Sequence, residues 1–301
     1  MITIAKSLLR KKTPKLYNIL FEIYHFNKYT MRLVARSDKL TAYFYSARKT
    51  HISKKNIWSD GNYSELHQQY KAFNITNGPF AGMSYEIESL SWFDSYESLV
   101  QKKYGIYEQE VLSYISGNTW STLIDIGAGT GYYSLGMLRL RYCKKAILFE
   151  SNEEYFPIIR RNASANSIDE SRFQINGTAD AAIIISKLNE QNTIENSSTL
   201  IICDIEGFEN KFFDLDLIKE LAVRNVTICI EVHKAQFFKY GLANNFLLNL
   251  ENYFKVLVLP TMQRNLTDFL MEVPFVTDRW LLASENRSEG CQILARPKSF
   301  L

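Results

Sequence analysis

Residues 123–133 (LIDIGAGTGYY) constrain the fold of this chain more than any other segment. An apolar, β-prone run carries Asp125, and glycines then occur at alternate positions before a helical pattern begins; these glycines are Gly127, Gly129 and Gly131. Glycine lets a backbone bend sharply and approach a ligand closely, because it has no Cβ. A strand that turns into a helix through such glycines is typical of α/β domains that bind a nucleotide-like cofactor.

The spacing of the glycines separates two classes of cofactor. Dinucleotide-binding turns use G-x-G-x-x-G, where the third glycine position needs a small residue for close packing of helix and strand. Bulky Tyr132 occupies that position, and the glycines run G-x-G-x-G instead. This pattern resembles motif I of the class I S-adenosylmethionine-dependent methyltransferases. We therefore predict that Asp125 and the three glycines contact S-adenosylmethionine; a glycine-rich turn in another α/β protein is the alternative.

A second apolar run, at 146–149, is predicted to be a strand and ends at Glu150. A carboxylate at this distance from the glycine turn can accept hydrogen bonds from both ribose hydroxyls of a bound cofactor. Glu150 and the adjacent Ser151 are therefore predicted to bind the cofactor. The carboxylate indicates an adenosine ligand but does not separate S-adenosylmethionine from a dinucleotide.

Strand and helix patterns alternate through the rest of the chain, which predicts a parallel sheet. The predicted fold class is α/β, a Rossmann-like class I methyltransferase sheet of seven strands, mostly parallel, with an antiparallel last strand. The predicted helices cover about 132–141, 153–166 and 212–223. The predicted strands are 122–127, 146–150, 173–176, 200–204, 226–233, 254–259 and 280–284.

Two further contacts are expected from the resemblance to methyltransferases. Gly177 and Thr178 follow the third strand, where the methyltransferase order implies a turn beside the adenine. Tyr107 and Glu108 lie just upstream of the first strand, in a segment that often folds over the cofactor in this class, and we expect Tyr107 or Glu108 to line the pocket. An ordinary packed aromatic residue is the alternative interpretation of Tyr107.

The most specific motif is D-I-E-G-F-E at 204–209, followed by E-V-H at 231–233. These residues resemble the FkbM family of methyltransferases, which carry a D-[IV]-E-G-x-E signature at strand four and E-x-H at strand five. The resemblance covers roughly residues 105–285. It implies a class I fold and transfer of a methyl group from S-adenosylmethionine to an oxygen, typically a hydroxyl of a sugar or a secondary metabolite. It does not identify the hydroxyl.

The chemistry of methyl transfer to a hydroxyl agrees with these residue types. A sugar hydroxyl is a poor nucleophile at neutral pH, so a base that removes its proton makes the attack feasible. We predict that His233 is this base and that Glu231 or Glu206 fixes the acceptor hydroxyl. Asp204 is predicted to contact the cofactor or to orient His233. Alternatively, the carboxylates could bind a divalent cation.

Other acceptors fit the sequence less well. Adenine-N6 enzymes use [DN]-P-P-[YFW] after strand four, and cytosine-C5 enzymes use a Pro-Cys dipeptide; the chain contains neither. An RNA or DNA methyltransferase and a non-catalytic cofactor-binding partner protein remain the alternatives.

The N-terminal part of the chain differs in charge from the rest. Residues 1–60 contain 13 Lys or Arg and 3 Asp or Glu, although the whole chain has a net charge of only +3. We predict a basic, mostly helical extension over 1–78 and a methyltransferase domain over 79–301. The helices at 1–58 suggest an anionic partner, such as a membrane surface, a phosphorylated glycan or nucleic acid. A solvated helical face is the alternative.

The four cysteines form no C-x-x-C pair, which is typical of a reduced, cytosolic protein rather than a disulfide or zinc framework. We expect no signal peptide and no membrane span, because no apolar run approaches about 18 residues. The chain is therefore predicted to be cytoplasmic, with peripheral membrane contact through its basic extension. The sequence gives no indication of oligomeric state.

Overall fold

The computed structural model describes residues 71–87, 96–191, 198–233, 243–259 and 290–298, all of which belong to one compact unit. The predicted basic helices at 1–58 and the predicted strand at 280–284 lie outside the described residues. The strands are β1 (Ala72–Asn74), β2 (Ser84–Glu86), β3 (Trp120–Ile126), β4 (Cys143–Phe149), β5 (Phe173–Asn176), β6 (Thr199–Cys203), β7 (Thr227–His233), β8 (Phe254–Val258) and β9 (Gly290–Pro297). The helices are α1 (Tyr96–Lys103), α2 (Gln109–Ser116), α3 (Tyr132–Arg139), α4 (Tyr155–Ala165), α5 (Ala181–Gln191), α6 (Glu209–Phe212), α7 (Leu215–Val223) and α8 (Ala243–Tyr253), with a 3₁₀ turn at Glu170–Arg172.

Seven of these strands form one sheet in the order β5-β4-β3-β6-β7-β9-β8. The neighbours from β5 to β7 are parallel, whereas β9 runs antiparallel to both β7 and β8. The chain leaves the central strand β3 toward β4 on one side and returns to β6 on the other. Ligands of open α/β sheets bind at such a reversal of strand order. The predicted fold class, a mostly parallel seven-stranded sheet with an antiparallel last strand, is confirmed.

The central strands are buried on both faces, as parallel strands covered by helices must be. Every residue of β6 is buried, and so are the last five residues of β3. The helices that cover them are amphipathic. In α7, Leu217, Ile218 and Leu221 are buried at helical spacing, and Asp214 caps the helix by accepting a hydrogen bond from the amide of Leu217 at 2.8 Å. None of the described helices is long and apolar enough to cross a membrane.

A hairpin of β1 and β2 precedes the sheet and packs on α4. Asn166 and Asn162 of α4 accept hydrogen bonds from the amides of Ser84 and Glu86, at 2.9 and 2.7 Å. Phe80, in the connection between the two strands, lies against Gly136 of α3, where a Cβ would come within 2.6 Å of the ring. The hairpin spans residue 78, at which the sequence predicts a domain boundary, and the boundary stays a prediction.

Candidate active site

A cavity of about 760 Å³ lies beyond the carboxyl ends of β3, β4 and β6. Its size is ordinary for a small-molecule or cofactor site. The predicted site residues that line it are Tyr107, Asp125, Gly127, Gly129, Glu150, Ser151, Thr178, Asp204 and Glu206. The predicted residues outside this lining are Gly131, Gly177, Glu231 and His233.

The three glycines of the turn have different roles, although all have a positive φ. A Cβ on Gly127 would lie 1.8 Å from the carbonyl oxygen of Asp204, so this glycine lets β3 and β6 approach closely. A Cβ on Gly129 would meet nothing within 4 Å, so this glycine leaves open space for a ligand. Gly131 begins α3 and packs against Leu135. Of the three glycines, only Gly129 therefore has open space where its Cβ would lie.

Asp125 is buried beneath this turn. Its Oδ2 accepts a hydrogen bond from the hydroxyl of Ser134 at 2.5 Å. Burial raises the pKa of Asp125 to about 6, although the hydrogen bonds from Ser134 oppose this shift. The carboxyl group therefore lies at the cavity wall in an environment that penalises its charge, and a cationic ligand group would stabilise its ionised form.

The carboxylate of Glu150 is hydrogen-bonded to the glycine turn. Oε2 accepts a hydrogen bond from the amide of Gly129, and Oε1 accepts one from the amide of Asn152, each at 2.8 Å. These contacts hold a buried carboxylate at the end of β4, where the sequence predicts the ribose of the cofactor. Oε1 also accepts a long hydrogen bond from the hydroxyl of Ser151 at 3.5 Å, and Oε2 has a further lone pair that a ligand hydroxyl can use.

The segment before β3 contributes aromatic and charged groups. Tyr107 lines the cavity as predicted, and its ring lies edge-on to Tyr132 at 5.5 Å. Glu108 is buried in a left-handed conformation (φ 44°) and accepts a hydrogen bond from the hydroxyl of Tyr133. A non-glycine residue held in this conformation is frequent at functional sites.

Asp204, Glu206 and His233 converge at the ends of β6 and β7. Nε2 of His233 lies 3.8 Å from Oδ1 of Asp204 and 3.4 Å from Oε2 of Glu206. Nδ1 of His233 lies 2.9 Å from Oε1 of Glu209, which is fully buried and also accepts hydrogen bonds from the amides of Ile205 and Gly207. The structure thus brings together the residues of the two motifs and adds Glu209 as the group that orients the imidazole.

Burial and the neighbouring charges shift the pKa values of the residues in this cluster. Burial alone lowers the pKa of His233, but the hydrogen bond with Glu209 and the charges of Asp204, Glu209 and Glu206 raise it to about 9. Burial raises the pKa of Asp204 to about 7, and the carboxylate of Glu108 adds to this effect. Burial also raises the pKa of Glu206. At neutral pH the imidazole is therefore mainly protonated and surrounded by acids.

Glu231 lies beside the same cluster but has another partner. Its Oε2 accepts a hydrogen bond from the side-chain amide of Gln292 in β9 at 3.0 Å. Ligating oxygens of Glu231, Glu108 and Asp204 lie within 4.8 Å of one another, and so do ligating atoms of Asp204, Glu206 and His233. Oxygen-rich groups of this kind suit a hard divalent cation, and cation binding stays the alternative to the predicted base at this site.

An exposed aromatic side chain lies at the edge of the cavity beside the acidic cluster. Phe208 is 61% exposed and lines the cavity together with Phe212. Nζ of Lys211 lies 5.5 Å from the centroid of the Phe208 ring. The preceding turn, with Glu206 at φ 56° and Gly207 at φ 99°, is held by the hydrogen bond from the amide of Gly207 to Glu209. This end of the cavity can therefore contact a ring-shaped acceptor.

Methyltransferases are among the solved structures to which this chain is similar. A candidate S-adenosylmethionine-dependent methyltransferase of Streptococcus mutans aligns over 72% of this chain and 54% of its own, with 15% identity and a TM-score of 0.42; the chain thus spans about half of that protein. The candidate methyltransferase YhhF of Escherichia coli aligns over 76% and 99%, with 13% identity and a TM-score of 0.41. A candidate tRNA (m1A22) methyltransferase of Streptococcus pneumoniae, in complex with S-adenosyl-L-methionine, aligns over 63% and 70%, with 14% identity and a TM-score of 0.39.

No protein-family model matches the chain, and no curated protein matches its sequence. The structural likenesses are distant in sequence, so the functional argument rests on the residues of the cavity.

Two residues of the site were missed by the sequence analysis. Lys102 lines the cavity from α1, and Glu209 fixes the imidazole of His233. Glu209 could have been found, because it is the last residue of the D-I-E-G-F-E motif. No local pattern marks Lys102, since its place in the cavity depends on packing against residues distant in the sequence.

Proposed function

We propose that this chain is an S-adenosylmethionine-dependent O-methyltransferase of the FkbM type that acts on a hydroxyl of a saccharide. The observation that carries the proposal is the position of the Glu150 carboxylate, fixed by the Gly129 amide at the reversal of strand order. Gly129 leaves open space there, and the cavity is large enough for an adenosine-containing cofactor. The residues present therefore fit the cofactor.

The bound cofactor would supply an activated methyl group on a sulfonium, so catalysis needs positioning of the acceptor and removal of its proton. In the proposed reaction the acceptor oxygen forms a bond to the methyl carbon as the carbon–sulfur bond breaks. His233 in its neutral form takes the hydroxyl proton through Nε2, which faces Asp204 and Glu206. Glu209 holds the ring for this role through Nδ1.

The proposal of a saccharide is supported by the chemistry of the cavity edge. Carboxylates of Asp204 and Glu206 can accept hydrogen bonds from sugar hydroxyls. The exposed ring of Phe208 gives an apolar surface for the carbon face of a sugar ring. Because a stacked base could use the same ring, RNA is the acceptor that the experiment must separate from a glycan.

Calorimetry tests the cofactor. We expect S-adenosylmethionine to bind and NAD not to bind, because Tyr132 occupies the position at which a dinucleotide turn needs a small residue. Tight binding of NAD without binding of the sulfonium would overturn the proposed function.

Incubation with methyl-labelled S-adenosylmethionine tests the acceptor. Glycans, nucleotide sugars and RNA are offered separately, and label is expected in a saccharide fraction. Label in RNA alone would replace the saccharide by a nucleic acid. Cofactor binding without transfer to any acceptor would favour a non-catalytic partner protein.

A further inference from the structure

A buried lysine forms one wall of the cavity. Lys102, in the last turn of α1, is only 7% exposed and lines the cavity. Its Nζ lies 5.4, 5.0 and 5.5 Å from the ring centroids of Tyr85, Tyr107 and Tyr132. These three rings form a collar that holds the ammonium group by cation–π attraction. The ammonium group of Lys102 therefore has a defined position at the wall of the cavity.

Hydrogen bonds connect this lysine with the glycine turn. Nζ of Lys102 donates to the hydroxyl of Tyr85 at 3.2 Å, and that hydroxyl shares a second hydrogen bond with the hydroxyl of Thr130. Thr130 lies between Gly129 and Gly131 in the turn. Glu150 binds the amide of Gly129 directly, and Lys102 is linked to the neighbouring Thr130 through the hydroxyl of Tyr85. A ligand whose ribose lies at Glu150 can therefore extend toward Lys102.

Lys102 differs in the sign of its charge from most other charged residues that line the cavity. The lining carries the acidic residues Asp125, Glu150, Asp180, Asp204, Glu206 and Asp214. Among the described residues that line the cavity, the other cation is Lys211, which packs against Phe208 at the acceptor end. S-adenosylmethionine has one anionic group, the carboxylate of its amino-acid end. At the glycine turn, Lys102 is the cation of the lining that can bind it.

We propose that Lys102 binds the carboxylate of the amino-acid end of the cofactor, with Tyr85, Tyr107 and Tyr132 holding its ammonium group in position. The inference rests on the proposed function and specifies which form of the nucleoside the cavity selects. A charge-assisted hydrogen bond of this kind distinguishes S-adenosylhomocysteine from nucleosides that carry adenine, ribose and sulfur but lack the carboxylate.

Calorimetry with two ligands tests the inference on the full chain. S-adenosylhomocysteine is compared with its decarboxylated analogue, which keeps the amine and the thioether. We expect the wild-type chain to bind S-adenosylhomocysteine about 10- to 100-fold more tightly than the analogue. The Lys102→Met variant should lose most of this difference by weakening S-adenosylhomocysteine alone. Lys102→Arg, which keeps the charge, should retain part of it.

Lys103 provides the matched control, because it is adjacent on α1 and does not line the cavity. Lys103→Met should bind both ligands as the wild type does. If the wild type binds both ligands equally, or if Lys102→Met weakens both equally, the inference is overturned while the proposed function stands. If the wild type binds neither ligand, the proposed function fails and the inference fails with it. The wild-type comparison decides the matter even if Lys102→Met does not fold.

Discussion

Nδ1 of His233 lies 2.9 Å from Oε1 of Glu209, a carboxylate that is fully buried and does not line the cavity. Glu209 also binds two backbone amides of the turn after β6, so its own position is fixed. The imidazole can therefore present only Nε2 to Asp204 and Glu206. Glu209 therefore orients the imidazole from behind the site and, together with Asp204 and Glu206, raises its pKa.

The raised pKa of His233 predicts how stability depends on pH. An unperturbed histidine titrates near 6.5, and in the folded chain the pKa of His233 is about 9. Because the folded value is the higher one, the protonated imidazole stabilises the fold fully below about pH 6.5, and this contribution is lost as the pH rises through about 9. Urea denaturation of the wild type and His233→Gln should give free energies of unfolding that converge over this interval. A difference that is constant from pH 6 to 9.5 would contradict the predicted coupling.

The rate of methyl transfer should also depend on His233. His233→Ala is expected to lose about 10²- to 10⁴-fold in rate while cofactor affinity is retained, because a general base has been removed. In the wild type the rate should rise with pH toward about 9, as the neutral imidazole becomes populated. Glu209→Gln should move this profile to lower pH. A metal-dependent mechanism predicts instead that chelator abolishes activity and that Mg²⁺ or Mn²⁺ restores it. Near-normal turnover of His233→Ala without metal dependence would refute both roles.

Asp125→Asn is expected to increase stability at neutral pH and to weaken cofactor binding. Burial raises the pKa of Asp125 to about 6, above its ordinary value of 3.8, so ionisation of the carboxyl group destabilises the fold as the pH rises from about 4 to 6. The amide variant avoids this cost, which amounts to about 1–3 kcal/mol at pH 7. Its oxygen can still accept the hydrogen bond from Ser134. Denaturation at pH 4 and pH 7 checks the result, and the two proteins should differ only at the higher pH.

Glu150→Ala should weaken binding of the cofactor by about 1–3 kcal/mol, because the ribose hydroxyls lose their charged acceptor. The amides of Gly129 and Asn152 lose an acceptor as well, so some loss of stability is expected. Calorimetry with S-adenosylhomocysteine and thermal unfolding measure the two effects. Glu150→Gln keeps the shape of the side chain and should lose less of both. Unchanged affinity in Glu150→Ala would remove Glu150 from the ribose site.

Gly127→Ala and Gly129→Ala should separate the structural glycine from the ligand-binding one. A Cβ at residue 127 would lie 1.8 Å from the carbonyl oxygen of Asp204, so this variant is expected to lose about 3 kcal/mol or more of stability. At residue 129 the Cβ meets nothing, and the cost is limited to about 1 kcal/mol for the left-handed backbone. The second variant should fold and lose cofactor affinity, because its methyl group occupies the space of the ligand. Equal stability of the two variants would contradict this assignment.

The sequence predicts the sheet well where hydrophobic patterning is local. The third strand lies at 173–176 as predicted, and the other core strands up to β8 agree within three residues at either end. The predicted strand at 280–284 lies outside the described residues. The sequence does not predict β9 (Gly290–Pro297), because its pairing with both β7 and β8 is a tertiary property. The sequence does not predict the hairpin of β1 and β2, because its strands are three residues long and gain their stability from α4.

The same distinction applies to the site. Glycines, Glu150 and the acidic motif are recognisable because their spacing along the chain is regular. Lys102 is not, because three tyrosines from separate segments define its place. The sequence indicates Asp204 as a residue that could orient His233, whereas the closest contact is made by Glu209. Sequence spacing does not show which acid of this turn contacts His233. The directions of their side chains depend on the backbone, which is left-handed at Glu206.

The hydrogen bond between Tyr85 and Thr130 gives the hairpin a thermodynamic link to the glycine turn. Tyr85 belongs to β2, and its neighbours Ser84 and Glu86 are bound to α4. Opening of the hairpin therefore releases the threonine at the centre of the turn and the tyrosine that positions Lys102. By reciprocity, any ligand that tightens the turn must suppress local opening of the hairpin. The stability of the hairpin is thus coupled to that of the turn, although Tyr85 and Thr130 are 45 residues apart in the sequence.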